Sequence, residues 1–278
     1  MIKKTLLDLG LIDEKNIILF AERTRDKNNV QVFRDKMTGI IFIDDFYVGE
    51  KEYQEGKYRT MMNDGNLENY LDVNRRWNEY NKFAVGKRIC DFGCGYGDFL
   101  RIAKPYAKSI CGIEIQNDYR EMLNKEKIEC FSDVDIINEK LDTFFLFHTF
   151  EHLPDPMGKL KLIYSKLDKG GKIIIEVPHA RDFLFQVPEF KDFTLWSQHL
   201  ILHTRESLYS FLRKAGFVNI QIQGVQRYGL SNHMEWFKNK KPGGHTKDIF
   251  ETDELKRSYS AALSVIDAND TLVAVGEK

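Results

Sequence analysis

The stretch Arg88-Ile89-Cys90-Asp91-Phe92-Gly93-Cys94-Gly95-Tyr96-Gly97-Asp98-Phe99-Leu100 constrains this chain more than any other. It reads as a short buried strand, a glycine turn and the first turn of a helix. Glycines at 93, 95 and 97 let the backbone pass close to a ligand where side chains would collide. The helix that follows at Asp98 offers free N–H groups to whatever lies in the turn. Such a loop, opening an α/β domain, is a nucleotide-cofactor site, and its spacing discriminates between cofactors. A dinucleotide fingerprint needs Gly-x-Gly-x-x-Gly. Here the third of those positions is Asp98, an acid that would repel a pyrophosphate at the helix start. A cofactor without phosphate, carrying a sulfonium and an amino acid, suits the loop better.

From Lys87 onward, strands and helices alternate, the mark of a doubly wound parallel sheet. Strands are expected at Arg88–Phe92, Ser109–Ile115, Ile128–Phe131, Thr143–Phe147 and Lys172–Val177. Helices are expected at Phe99–Tyr106, Asp118–Lys125, Met157–Leu167 (leaving through Gly170-Gly171) and Glu206–Ala215 (stopping at Gly216). Val218–Gln223 and Thr271–Val275 complete seven strands. Glu114, at the end of the second, is placed to accept both ribose hydroxyls of a nucleoside, with Ile115 beside it. Asn66–Ala84 is an amphipathic helix that either covers the cofactor from one side or packs on the sheet. Val30–Phe33 and Ile40–Ile43 around a Gly-containing turn read as a hairpin. The organisation expected is therefore an N-terminal extension (1–65), a catalytic domain (66–227 and 271–278) and an inserted cap (228–270).

The formal net charge of −1 gives no global field favouring nucleic acid or anionic membrane, and Lys238-Asn239-Lys240-Lys241 reads as a solvated loop. No apolar run approaches the roughly 20 residues of a membrane span, and Asp8, Asp13 and Glu14 interrupt any signal-peptide core. A cytoplasmic protein is expected. Cys90, Cys94, Cys111 and Cys130 fall in or near buried strands and read as reduced core thiols.

On Asp91-Phe-Gly-Cys-Gly-Tyr-Gly97, Gly112-Ile-Glu114, Phe150-Glu-His-Leu-Pro-Asp-Pro156 and Leu167-Asp-Lys-Gly-Gly171, the chain resembles the class I S-adenosylmethionine-dependent methyltransferases. The resemblance covers roughly residues 85–225 and the last strand. It implies a seven-stranded, mostly parallel sheet of order 3-2-1-4-5-7-6. It further implies that Asp91, Gly93, Gly95 and Gly97 cradle the methionine portion and that Glu114 binds the ribose. Asp133, after the third strand, either meets the adenine or is a solvated turn. The cap would sit above the carboxyl ends of the strands, where ligands bind in such sheets.

Phe147-His148-Thr149-Phe150-Glu151-His152 begins where the fourth strand ends. If the chain takes a helical turn there, 148, 151 and 152 share one face and form a divalent-metal half-site, with His199 as a fourth ligand. The pattern resembles ubiquinone-pathway O-methyltransferases and small-RNA 3′-end 2′-O-methyltransferases, which carry Glu-x-x-Glu-His after the same strand. His148 replaces the first Glu, which favours iron, zinc, manganese or cobalt over magnesium. The metal-free alternatives are a general base, His148 or His152, or a packing role. His179, after Val177-Pro178, is a candidate substrate contact or base, or a surface-loop residue. In the cap, Asn232, His233, Trp236 and His245 suit a carbohydrate or form the insertion's own core.

The function expected is methyl transfer to a hydroxyl of a small polar substrate. Resemblance to methyltransferases of polysaccharide pathways, carried by Asn239-Lys-Lys-Pro-Gly-Gly-His245, points to a sugar or nucleotide-linked sugar, with no nucleic-acid partner. The alternatives are methylation of a non-sugar amine or phenol and, remotely, a nicotinamide-dependent reductase. Against the reductase, Tyr-x-x-x-Lys occurs only upstream of the glycine loop (Tyr47/Lys51 and Tyr53/Lys57).

Overall fold

The computed structural model describes residues 2–54, 67–244 and 251–278. Lys57, Asn66 and His245, named above, lie outside the described residues. In chain order the elements are α1 (Ile2–Asp8), β1 (Ile17–Ala21), β2 (Val32–Asp35), β3 (Ile41–Phe42), α2 (Glu50–Gln54) and α3 (Leu67–Tyr80). They continue with β4 (Arg88–Phe92), α4 (Asp98–Ala103), β5 (Ser109–Ile113), α5 (Asn117–Lys125), β6 (Glu129–Phe131), β7 (Leu141–Phe147) and α6 (Pro156–Lys166). The remainder are β8 (Leu167–Pro178), α7 (Phe190–Thr194), β9 (Ile201–Leu202), α8 (Arg205–Ala215), β10 (Val218–Val225), α9 (Leu230–Asn239), α10 (Asp253–Val265) and β11 (Thr271–Glu277).

The main sheet has the order β6-β5-β4-β7-β8-β11-β10, which is the expected 3-2-1-4-5-7-6. Its pairings are parallel except those of β11, antiparallel to both β8 and β10. The central strands are apolar on both faces, as a sheet covered by helices on each side requires. Phe144, Leu146, Ile173 and Ile175 pack with Leu160 and Ile163 of α6 and Phe211 and Leu212 of α8. Phe145 and Ile174 point the other way, onto Tyr80, Phe99 and Leu123.

Two local readings are corrected. The helix before the fifth strand does not leave through Gly170-Gly171: α6 ends at Lys166 and β8 starts at Leu167. The glycines serve a bulge instead, where pairing with β7 jumps from Leu141↔Leu167 to Thr143↔Lys172. Gly170 has φ +76°, and a Cβ on Gly171 would crowd the carbonyl oxygens of Asp168 and Asp142. The N-terminal hairpin is also larger than expected. β1 and β2 pair, β2 pairs with β3, and β3 pairs with β9 far along the chain, making a second, four-stranded sheet. That sheet frames the site, because β9 lies between His199 and His203 and Leu200 N–H donates to the Glu151 carbonyl (2.9 Å).

Candidate functional site

The glycine loop joins β4 to α4 with Gly93, Gly95 and Gly97 all in the left-handed region (φ +77°, +54° and +84°). A Cβ on Gly93 would overlap the Thr149 side chain, and one on Gly97 would overlap Leu123. Both positions therefore need glycine for conformation and for space. The loop is tied to β5, since Gly93 and Cys94 N–H both donate to the Ile113 carbonyl (2.7 and 3.0 Å). Glu114 is buried, and its two oxygens accept from Gly95 N–H (2.8 Å) and Gln116 N–H (2.9 Å). Asp98 accepts from Asn69 Nδ2 of α3 (2.7 Å) and pairs with Arg101 (3.2 Å). The amphipathic helix lines the cavity through Asn69, Asp72 and Arg76, while Trp77 packs on Phe99 and Tyr106.

Asp91 is the informative acid. It is buried, and its Oδ1 has no hydrogen-bond partner. Burial pushes the carboxyl up to about 7, with Arg76 opposing the rise and Glu114 adding to it. A bare buried acceptor beside a glycine backbone fits a ligand that brings N–H donors and positive charge. That is the chemistry of an amino-acid sulfonium. Ile115 lines the same space, and its carbonyl is held by Arg120 (2.7 Å). Asp133 caps the turn that follows β6 and pairs with Lys159 (2.6 Å) at the cavity wall.

The histidines separate in a way the sequence pattern does not foretell. The chain after β7 makes a tight 3-10 turn over Phe150–His152, while His148 precedes it in the left-handed region (φ +50°). His148, Glu151 and His152 therefore do not share a helical face. Ligand atoms of Glu151, His152 and His199 lie within 4.8 Å of one another, and His148 falls outside that group. His152 Nδ1 lies 2.9 Å from the Gln198 carbonyl, which fixes a donor on that side, and its Nε2 faces Glu151 (3.8 Å). Burial raises the Glu151 carboxyl, but His152 and His148 outweigh it and hold the group down at about 2. Burial brings His199 down to about 3, with His152 adding to the shift. A carboxylate and two imidazoles are a donor set suited to a divalent transition metal.

His148 turns instead between two acids, with Nδ1 3.4 Å from Glu151 Oε1 and Nε2 3.4 Å from Glu176 Oε1. Glu176, at the carboxyl end of β8, is completely buried and holds Arg75 (2.9 Å) and Arg76 (2.7 Å) of α3. Arg75 also pairs with Asp72 (3.3 Å), and Asp72 pairs with Arg227 ahead of the cap. Sequence reasoning missed this network. Its one visible signal is a glutamate inside Ile173-Ile-Ile-Glu176-Val-Pro178, where an apolar strand end is expected.

His179 is not on a surface loop. It is buried, bridges in parallel to His203, and has its Nδ1 3.0 Å from the Asn269 carbonyl. Burial lowers it to about 4, against the pull of Asp267. In the cap, Trp236 packs edge-on against Phe190 and Phe193, so its ring serves mainly as core. Asn232 and His233 are buried as well, with His233 Nδ1 bonded to Tyr259 Oη (2.6 Å). One cavity of about 690 Å³ connects the glycine loop, the histidines and the cap residues Tyr228, Asn232 and Trp236. All four cysteines are free thiols, as expected. Among the described residues no helix is long and apolar enough to cross a membrane.

Comparison with known proteins agrees with this geometry. A family model described as a methyltransferase domain matches residues 68–222, more than half of the chain. Curated relatives include the tRNA U34 carboxymethyltransferases of Nautilia profundicola (23% identical over 181 residues, 58% of this chain and 59% of that protein) and Pseudomonas fluorescens Pf-5 (26% over 186 residues, 59% and 58%). The chain thus spans about three fifths of the length of the curated relatives it matches. Among solved structures, a SAM-dependent methyltransferase from Archaeoglobus fulgidus aligns with TM-score 0.52 at 20% identity, over 75% of this chain and 94% of that one. Haemonchus contortus phosphoethanolamine N-methyltransferase 2, in complex with S-adenosyl-L-methionine, aligns with TM-score 0.53 at 16% identity, over 86% and 61%. These structural likenesses show the fold. The chain belongs to the methyltransferase-domain family.

Proposed function

We propose that this methyltransferase transfers the methyl of S-adenosylmethionine to a hydroxyl of a small polar acceptor, a sugar being the first choice. The observation that carries the reading is the placement of His148 and the Glu151–His152–His199 group at the end of β7, in one cavity with the glycine loop. A sugar hydroxyl is a poor nucleophile until its proton is taken. An imidazole within reach supplies the base, whereas an amine acceptor needs only a neutral nitrogen. His148 is the residue assigned that task. To accept the proton the neutral ring would turn one nitrogen from Glu151 or Glu176 to the acceptor, and the two carboxylates would stabilise the imidazolium formed. Glu151, His152 and His199 are the residues that would hold a divalent metal, whose contribution would be to lower the pKa of the acceptor hydroxyl. His179 and the cap residues Asn232 and Trp236 would border the acceptor.

When bound, S-adenosylmethionine supplies an electrophilic methyl. Asp91 Oδ1 and the glycine backbone would receive its amino-acid end, Glu114 its ribose and Asp133 the region of its base. The curated relatives carry tRNA in their names, and tRNA is the second acceptor to weigh. Among the described residues, nine carboxylates but only four lysines and arginines line the cavity. This balance disfavours phosphate-bearing acceptors, tRNA and nucleotide-linked sugars alike.

The first test is calorimetry: S-adenosylhomocysteine should bind in the micromolar range and NADH not at all. A mass-spectrometric screen of sugars, amino sugars, nucleotide sugars, phenols and a tRNA pool should then find the gain of one methyl on a sugar. Methylation of tRNA alone would overturn the acceptor assignment.

A further inference from the structure

Two of the cavity's acids, Asp182 and Asp270, lie on the β8 and β11 side of the cavity, away from the glycine loop, and both are buried. Asp182 follows β8, and Asp270 immediately precedes β11, which pairs with β8. Their backbones are stitched together through His179, whose N–H donates to the Asp270 carbonyl (2.9 Å) and whose carbonyl accepts from Asp182 N–H (3.2 Å). Asp270 is held asymmetrically. Its Oδ2 accepts Gln226 Nε2 (2.8 Å), Arg227 N–H (2.8 Å) and Tyr228 N–H (3.1 Å), while its Oδ1 has no hydrogen-bond partner although the residue is only 8% exposed. Three donors on one oxygen fix the carboxylate and leave the other oxygen bare. Asp182 gives one oxygen to Leu184 N–H (2.8 Å) as the cap of a short turn. Among the described residues neither acid forms an ion pair, and the nearby Arg227 guanidinium is committed to Asp72. Burial raises both carboxyls, Asp182 to about 8 with Asp270 adding to the rise. Arg227 opposes the rise at Asp270 while paired with Asp72, so among the described residues neither acid has a cation bonded to it.

We propose that Asp182 and Asp270 form a cation subsite that anchors a protonated amine of the acceptor, so that the substrate is an amino-bearing sugar or amino alcohol methylated at a separate hydroxyl. This deepens the hydroxyl-methylation reading and rests on it. The reach is suitable: at ~4.8 Å between neighbouring strands, the ends of β8 and β11 lie roughly 5–10 Å across from the end of β7, where His148 stands. That is about the span of one monosaccharide ring. An ammonium there meets a fixed, bare carboxylate oxygen, whereas a neutral hydroxyl would leave a buried charge uncompensated.

The test uses the full chain saturated with S-adenosylhomocysteine, near neutral pH, titrated calorimetrically with matched probes. These are glucosamine against glucose and N-acetylglucosamine, and cyclohexylamine against cyclohexanol. The amine of at least one set should bind about tenfold or more tighter than its neutral partners, the worth of one charge-assisted contact. That preference should fall below about threefold in Asp270→Asn and in Asp182→Asn, each retaining an oxygen for its backbone donors. Neutral partners binding as tightly as the amines, no amine binding to a protein that does bind S-adenosylhomocysteine, or a preference that survives both substitutions would overturn the subsite. Failure to bind S-adenosylhomocysteine would overturn the methyltransfer reading beneath it, a separately visible result.

Discussion

Replacing Glu176 by Gln probes the network that joins α3 to the sheet behind His148. The carboxylate is fully buried and accepts from Arg75 Nη2 at 2.9 and 3.0 Å and from Arg76 Nε at 2.9 Å, with Arg76 Nη2 at 2.7 Å. The amide keeps the shape and loses the charge. Arg75 retains Asp72 and Glu79, but for Arg76 Glu176 is the one ion-pair partner among the described residues. Breaking a buried pair from one side costs about 3–5 kcal/mol, and the acids left to Arg75 bring the expected loss to about 3 kcal/mol. For a chain of this size that is a Tm drop of roughly 6–10 °C, read by calorimetry. pH gives an independent check. Burial works to raise the Glu176 pKa from its ordinary 4.5, but Arg76, His148 and Arg75 outweigh it and hold the group well below. A depressed carboxylate contributes fully above its unfolded pKa and loses that contribution as pH falls through its folded value. The gap between parent and Glu176→Gln should therefore be widest above about pH 5 and close in acid. A variant within about 0.5 kcal/mol of the parent, or a gap that widens in acid, would refute the reasoning.

Three further outcomes follow from the site. Asp91→Asn should weaken S-adenosylhomocysteine binding by roughly 10–100-fold, the worth of one charge-assisted hydrogen bond, and Gly93→Ala should weaken it at least as much because its Cβ meets Thr149; calorimetry measures both. Asp182 has a folded pKa raised to about 8 from 3.8 by burial and by Asp270, so folding favours its protonated form and the parent should lose stability as pH rises from about 4 to 8. Asp182→Asn should lack that slope of up to ~1.4 kcal/mol per pH unit, read from denaturant midpoints across the range. Protein purified without a histidine tag should carry zinc, manganese, iron or cobalt that a Glu151→Gln, His199→Ala double variant lacks; equal metal content by elemental analysis would remove the metal from the scheme.

Much of the fold is legible in the sequence because its signals are local. Ile173-Ile-Ile and Phe144-Phe-Leu announce strands buried on both faces, and the glycine loop announces its own turn. β1 and β9 are not legible: both are short, and β9 is a strand only because β3, about 160 residues earlier, pairs with it. The tight turn at His148 is invisible for the same reason. Its positive φ follows from His148 N–H donating to the Glu176 carbonyl (2.8 Å), a contact between neighbouring strand ends. Arg75 and Arg76 look like the solvated side of an amphipathic helix until Glu176 is seen beneath them.

Asp98 shows how an inference can rest on half of its physics. The sequence reading uses only its charge at the start of α4, and the structure gives it a second task. It holds Asn69 of α3 and Arg101 of its own helix, and so pins the covering helix to the loop. The same helix carries Asp72, Arg75 and Arg76 to the far side of the cavity, where they meet Arg227 and Glu176. The glycine loop and the Glu176 network are therefore joined through α3. Asp98→Ala should loosen both, lowering S-adenosylhomocysteine affinity and weakening any amine probe held at Asp182 and Asp270. A loss confined to the cofactor would mean that α3 is held in place by the Glu176 network alone.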